Sequence, residues 1–116
     1  MADRIVKVLE NGRFVTRGCS SLNGFVQSYI DKDETLTFTF DWSNWLGANT
    51  IASAAKEVNG PSVSAITTSG TNTSFTVSGN PGLIQHRITD SAGNTKEVRM
   101  RVRSPDGYYY QDYGCR

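Results

Sequence analysis

The sequence has little of most features that carry chemistry or membrane association. Its 116 residues include 12 basic and 11 acidic side chains, which leaves a net charge of +1. A protein that neutralises nucleic-acid phosphates normally has a clear basic excess, so the balance argues against a nucleic-acid partner. No apolar run approaches the roughly 20 residues of a membrane-spanning helix. Charged residues at Asp3, Arg4, Lys7 and Glu10 exclude a secretory signal core. We therefore expect no membrane partner and synthesis in a reducing cytoplasm.

Residues that bind metals or form disulfides are equally scarce. Cys19 and Cys115 stand 96 positions apart, and no CxxC motif occurs, so the sequence predicts neither a disulfide framework nor a zinc or redox site. Whether the two cysteines ever pair stays open. The acidic segment Asp31–Glu34 lacks the glycine and the distal glutamate of a calcium loop. A solvated turn before a strand is the prediction there, and no metal or cofactor is expected.

Catalytic residues are also not evident. His86 is the single histidine, and in the alternation Ile84-His86-Ile88 it falls on the apolar face of a predicted strand. Nucleophilic catalysis needs an accessible base beside the nucleophile, and no GxSxG motif is present. We therefore predict that His86 is a core or sheet-edge residue and that the protein is not an enzyme.

What the chain does have is a period of two. Apolar and polar residues alternate from Glu34 to Trp42, from Ser74 to Ser78 and from Thr95 to Arg103, as half-buried strands require. Asn11-Gly12 predicts a hairpin turn, and Gly- and Pro-containing segments at 59–61 and 78–82 predict further turns. Ile51 to Val58 is the best helical candidate but has no good cap, so a strand is predicted there too. The fold class is all-β, an antiparallel β-sandwich.

Three regions follow from this pattern. Residues 1–33 are predicted to form an N-terminal hairpin arm and linker, with the linker at 18–24. Residues 34–103 carry the regular strand rhythm of the sandwich. Pro105-Asp106-Gly107 breaks the last strand, so residues 104–116 form a tyrosine-rich C-terminal tail.

Two surface features admit more than one interpretation. In a strand, Trp42 and Trp45 would point to opposite faces, which puts Trp42 in the core and leaves Trp45 to close the end of the sandwich. A sugar-stacking platform is the alternative for this tryptophan pair. Arg99, Arg101 and Arg103 share one strand face, which suits an exposed charged face that resists edge aggregation better than a phosphate-binding stripe.

The tail is the strongest candidate for contact with another protein. Tyrosine gives a large contact area at low entropic cost and is favoured at interfaces. The tail either folds back over its own sandwich or docks on a neighbour. The candidate interface residues are Phe14, Val15, Trp45, Tyr108, Tyr109, Tyr110 and Tyr113.

Several short motifs indicate a family. Asp41 stands four positions before Trp45-Leu46, and Asn49-Thr50-Ile51-Ala52-Ser53 follows. Later come Gly82, Ile84, Ile88-Thr89, a turn with Gly93, and Glu97-Val98-Arg99 before Arg101-Val102. Across residues 34–103 these motifs resemble the immunoglobulin-like module of small tailed-phage virion proteins, described as the phage fibre–tail adaptor. Family members usually present an aromatic such as Tyr where this chain has His86.

The resemblance implies an immunoglobulin-like sandwich and a structural role in a tailed-phage virion, made in the host bacterial cytoplasm. The protein would join the tail or neck to fibres or spikes, with other virion proteins and further copies of itself as partners in a symmetric assembly. The alternatives are a capsid decoration protein and a carbohydrate-binding module for host surface glycans.

Overall fold

Nine strands and one short helix make up the part of the chain that the computed structural model describes, which is residues 3–8, 14–17, 20–22, 25–30 and 34–103. The prediction of an all-β protein is confirmed, and Ile51 to Val58 is a strand. The elements in chain order are β1 (Asp3–Val8), β2 (Phe14–Arg17), β3 (Ser20–Leu22), β4 (Phe25–Tyr29), β5 (Thr35–Asp41), α1 (Ser43–Leu46), β6 (Ile51–Val63), β7 (Thr67–Ser69), β8 (Asn72–Asp90) and β9 (Thr95–Arg103).

The long strand β8 joins two halves of one sheet. Its first part pairs with β5, which leads to β1 and β2, and its second part pairs with β9, which leads to β4 and β3. β6 follows β8 through both halves, and β7 pairs with the start of β8. His86, from the second part of β8, lies 4.9 Å from the ring of Phe40 and 5.3 Å from the ring of Phe75. The two halves therefore enclose a single core.

The predicted alternation sets which side chains fill that core. Leu36, Phe38 and Phe40 of β5 are fully buried between outward-facing threonines. On β9, Val98, Met100 and Val102 point inward, and the arginines at 99, 101 and 103 are exposed. Because successive strand residues face opposite sides, these short segments could be assigned to a face from the sequence alone.

The described pairings among β5 to β9 are all antiparallel, as predicted for the sandwich, and two strands from residues 1–33 make the sheet as a whole mixed. β1 runs parallel to β5, and β4 runs parallel to β9. Hairpin neighbours must be antiparallel, but strands joined by a long connection can pair in parallel. Turn signals in a sequence report only hairpin neighbours, so they could not reveal these two pairings.

Residues 1–33 were expected to form an arm and a linker. β1 and β2 do form the predicted antiparallel hairpin, with Val8 opposite Phe14, while the Asn11-Gly12 turn lies outside the described residues. β1 is also hydrogen-bonded to β5, and β3 occupies part of the expected linker. Four of the described residues of this region belong to the buried core: Val6, Val8, Val26 and Ile30.

The two sheet halves meet at a tight corner where β6 and β8 bend together. The pairing register shifts between Asn59 and Pro61. A Cβ added to Gly82 would lie 1.9 Å from the backbone oxygen of Asn59, and one added to Gly60 would lie 2.2 Å from that of Pro81. Only glycine allows the two backbones to approach this closely. The segments at 59–61 and 78–82, predicted as turns, are instead this corner.

Candidate protein-interaction surfaces

A chain of buried hydrogen bonds fixes the single histidine. Trp42 Nε1 donates to Thr73 Oγ1 at 2.9 Å, Thr73 Oγ1 lies 2.7 Å from His86 Nε2, and His86 Nδ1 lies 3.0 Å from the backbone oxygen of Ala55. Since the Ala55 carbonyl can only accept, Nδ1 carries the proton. Nε2 then accepts from the Thr73 hydroxyl. Every polar side-chain atom in this hydrogen-bond network therefore has a partner.

The same surroundings keep His86 neutral. Burial lowers the pKa of His86 from 6.5 to about 4, the bond to the Ala55 carbonyl opposes this shift, and the charge of Lys56 adds to it. The side chain has no exposed surface, and the rings of Phe40, Trp42 and Phe75 pack against it. The prediction of a core position for His86 is confirmed.

The helical turn α1 closes one end of the molecule. The Asp41 carboxylate accepts hydrogen bonds from Ser43 N at 3.0 Å and from Ser43 Oγ at 2.7 Å. Leu46 N then donates to the Trp42 carbonyl at 2.8 Å. The Trp42 and Trp45 rings meet edge-on, 6.2 Å apart. The prediction that they point to opposite faces is wrong, because the strand ends at Asp41 and residues three apart in a helical turn share a side.

A turn between β8 and β9 is fastened to this end. Asp90 is buried and accepts hydrogen bonds from the backbones of Ala92 and Asn94 and from the side chains of Asn94 and Asn49. Burial raises the pKa of Asp90, but these donors outweigh it and hold the pKa below its ordinary value. Ser91 N also donates to the Thr50 carbonyl at 2.8 Å. The motif around Asp41, Trp45, Asn49 and Thr50 therefore forms an end of the molecule that several hydrogen bonds hold together.

The outer face of β9 is charged but internally paired. Glu97 lies 3.3 Å from both Arg87 and Arg99. The bond from Arg99 lowers the pKa of Glu97 most, burial opposes it, and bonds from Arg87 and Gln85 add to the lowering. Glu97 lies at the start of this face and pairs with Arg99, the first arginine of the stripe, which supports the interpretation of an exposed, solvated sheet face.

The predicted interface residues lie in different places. Phe14 and Val15 belong to β2, which ends one side of the described sheet because it pairs only with β1 there. Trp45 is half-buried against the core at the α1 end. Tyr108, Tyr109, Tyr110 and Tyr113 lie outside the described residues.

A second sheet edge was not anticipated from the sequence. β6 pairs with β8 alone among the described strands, and most of its side chains are exposed, including Val58 at 39%. The run of small residues at Ala52, Ser53, Ala54 and Ala55 could have indicated an edge strand, since small side chains bury little surface. Strand periodicity alone does not distinguish an edge strand from a central one.

Other kinds of site are not seen in the described part of the chain. It contains no group of three or more His, Cys, Asp or Glu side chains placed to hold a metal ion. Within the same residues, no helix has the length and apolar character needed to cross a membrane.

Comparison with known proteins identifies the family. A family model described as podophage GP4 fiber-tail adaptor protein gp77 matches residues 31–103. No match was found among curated proteins. The family match covers more than half of the chain. It includes β5 to β9, the α1 end and the corner at Gly60 and Gly82, called the glycine corner below. The chain therefore belongs to the podophage fibre-tail adaptor family and is a structural protein associated with the phage tail.

Proposed function

We propose that this protein joins the tail or neck of the virion to fibres or spikes through protein–protein contacts. The observation that carries the proposal is the family match over residues 31–103. The hydrogen-bonded α1 end and the single shared core suit a structural part placed between larger components. The mechanism is assembly, and no chemical step is involved.

Sheet edges are the surfaces best suited to such contacts. An extended segment of a partner can add to an open edge, with backbone hydrogen bonds for affinity and side-chain pockets for specificity. The β2 edge at Phe14 and Val15 is one candidate surface for such a segment. The half-buried Trp45 at the α1 end is a candidate contact outside the sheet edges. The tail tyrosines supply further contact area. Several copies related by rotational symmetry would follow from attachment to a ring-shaped tail.

The test is a phage in which the gene for this protein is disrupted. Particles grown without the protein are expected to have heads and tails but no attached fibres in electron micrographs, and a plasmid copy of the gene is expected to restore the fibres. Fibres that remain attached without the protein would contradict the proposal.

Copy number provides a second, independent check. Peptide mass spectrometry of gradient-purified particles should recover a few to about a dozen copies per virion, as expected for a symmetric tail component. Hundreds of copies would instead indicate a capsid decoration protein. Absence from the particle would contradict any structural role.

A further inference from the structure

β6 presents a long open edge in the described part of the molecule. From Ser53 to Asn59 it pairs with β8 in one unbroken register, and no described strand pairs with its other side. The other edge strands, β2, β3 and β7, have only four, three and three residues. A long unpaired edge exposes a row of backbone donors and acceptors and is a template for one more strand.

Two adjacent charged residues of this edge point to opposite faces of the sheet. Lys56 lies opposite the buried His86 and therefore faces the core side, whereas Glu57 lies opposite Gln85 and faces outward. Lys56 is half-buried and Glu57 is exposed. Neither side chain forms an ion pair within the residues that the structure describes. An added strand therefore needs two consecutive charged residues of opposite sign to match them.

The next residue of β6 adds an apolar contact to these two charges. Val58 lies opposite the buried Ile84, on the same face as Lys56. Among the described residues it is the large apolar side chain that remains exposed, at 39%. A groove of about 390 Å³ beside it is lined by Glu57, Val58, Asn59 and Gln85. Because carboxylate and amide oxygens accept hydrogen bonds, this groove suits a basic side chain opposite Glu57.

We propose that β6 is the docking edge for an extended segment of another virion protein, which adds as an antiparallel strand and carries an apolar, a basic and an acidic residue in consecutive positions. These three residues lie opposite Val58, Glu57 and Lys56, in that order. The order follows from the direction, because residue numbers fall along β6 as they rise along an antiparallel neighbour. An antiparallel neighbour is favoured because parallel pairs are slightly less stable per residue.

The two ends of the regular segment limit the length of the added strand. The register of β6 with β8 shifts between Asn59 and Pro61 and again between Ile51 and Ser53. Pro61 also has no backbone N–H to donate. Ala55, in the middle of the segment, is small and exposed, which leaves room for a larger side chain beside it. The added strand therefore pairs with the seven residues from Ser53 to Asn59.

A second copy of the chain does not match these charges. When two β6 strands pair antiparallel about a two-fold axis perpendicular to the sheet, directly opposed residues lie on the same face. Lys56 of one copy then never opposes Glu57 of the other, and the register centred on Lys56 places two lysines opposite each other, which is unfavourable. A charge that points inward on an edge strand also disfavours edge-to-edge aggregation. The residue that rejects a second copy is thus the one that selects an acidic partner.

The test uses the full chain and two synthetic peptides with blocked ends that differ only in the order of two residues. The matched peptide, Thr-Val-Lys-Asp-Thr-Val-Thr, places its first valine opposite Val58, its lysine opposite Glu57 and its aspartate opposite Lys56. The control peptide, Thr-Val-Asp-Lys-Thr-Val-Thr, places like charges opposite both charged residues. NMR titration measures both affinities, and amide hydrogen exchange shows where each peptide binds.

We expect the matched peptide to bind about tenfold more tightly than the control peptide, since two favourable cross-strand pairs replace two unfavourable ones. It should protect the amides of residues 53–59 that point away from β8. The Lys56→Glu/Glu57→Lys variant reverses both charges of the edge, so it should prefer the control peptide by about the same factor.

Equal affinities of the two peptides for the unaltered chain would overturn the proposal, as would no binding of either at millimolar concentration. Strong protection of the same amides in the free protein would also overturn it, because the edge is then already covered. Sedimentation of the free protein would show whether a second copy covers it.

The docking edge itself is argued from the described strands, and only the identity of the partner as a virion protein rests on the proposed function. If fibres remain attached after gene disruption while the matched peptide binds, β6 is still a docking edge but the attachment role is wrong. If fibres are lost after disruption while neither peptide binds, the attachment role is supported and the partner uses a surface other than β6.

Discussion

At the scale of single residues, the core depends on polar contacts as well as on apolar packing. Thr73 is fully buried on β8, and its hydroxyl is hydrogen-bonded to both the Trp42 indole and the His86 ring. A buried polar group without a partner costs more than an ordinary hydrogen bond contributes. Thr73 therefore matters more than its size indicates.

The first prediction concerns this hydroxyl. Thr73→Val keeps the shape of the side chain but leaves Trp42 Nε1 without an acceptor and His86 Nε2 without a donor. We expect the free energy of unfolding to fall by about 2–4 kcal/mol, the cost of two buried unsatisfied groups, as measured by urea denaturation. Thr76→Val on the outward face of the same strand is the control and should change stability by less than about 0.5 kcal/mol. Equal effects of the two variants would show that the network contributes nothing.

The second prediction concerns pH. The pKa of His86 is about 4 in the folded protein against 6.5 for the ordinary group, so the unfolded chain binds a proton more readily. The contribution of His86 is therefore fully present above pH 6.5 and is lost as the pH falls towards 4. Between pH 7 and pH 5 we expect the free energy of unfolding to fall by about 2 kcal/mol, as measured by urea denaturation at each pH.

The control for this titration is His86→Phe, which keeps a ring among Phe40, Trp42 and Phe75. This variant is less stable at pH 7, because Thr73 and the Ala55 carbonyl lose a partner. Its stability should nevertheless vary little between pH 7 and pH 5, since most carboxylates titrate lower. A wild-type slope that persists in His86→Phe would place the pH dependence on other groups.

The same residues show which properties of single side chains can be predicted from the sequence. The alternation Ile84-His86-Ile88 predicts that His86 faces the core, since the period of a strand is two. It cannot predict the bonds to Thr73 and Ala55, which lie 13 and 31 positions away. For Trp45 the predicted face itself is wrong. The alternation of the preceding strand suggests that the strand continues, but a helical turn begins at Ser43 and changes the direction of the side chain.

At the scale of elements, the glycine corner determines how two strands cross from one sheet half to the other. Pro- and Gly-containing segments normally end strands, which is why 78–82 was predicted as a turn. Here β6 and β8 bend together, and each strand continues through the corner without ending. Turn residues in a sequence indicate a change of direction, but they do not indicate whether hydrogen bonding continues through it.

The third prediction tests this corner. A methyl group at Gly82 would lie 1.9 Å from the Asn59 carbonyl and 2.8 Å from the Pro61 ring, so the strands must separate. We expect Gly82→Ala to lower the free energy of unfolding by about 3 kcal/mol, at the upper end of overpacking costs. Gly93→Ala is the control: its φ is +90° but no atom lies within 4 Å, so only backbone strain of about 1–2 kcal/mol remains. Thermal denaturation distinguishes the two, and a smaller loss for Gly82→Ala would mean that the corner relaxes easily.

At the scale of the whole molecule, the family match and the buried core do not cover the same residues. The match begins at residue 31, yet Val6, Val8, Val26 and Ile30 belong to the same buried cluster as β5, β8 and β9. The sequence predicted the β1–β2 hairpin correctly, because its turn and alternation are local. Its placement beside β5 depends on a parallel pairing between residues more than 30 positions apart, which no local pattern encodes.

The last prediction follows from that placement. A two-stranded hairpin is at best marginally stable by itself, so β1 gains its order from pairing with β5 and from the shared core. Val6→Ala removes two buried methyl groups and should lower the free energy of unfolding by about 2–3 kcal/mol. Val98→Ala, from within the family match, should have a similar effect, and both variants should unfold in one transition. Lys7→Ala, on the opposite face of β1, is the control and should change stability by less than about 0.5 kcal/mol. If Val6→Ala instead left the main transition unchanged, the hairpin would be an independent arm, and its residues would be available to reach a neighbouring subunit.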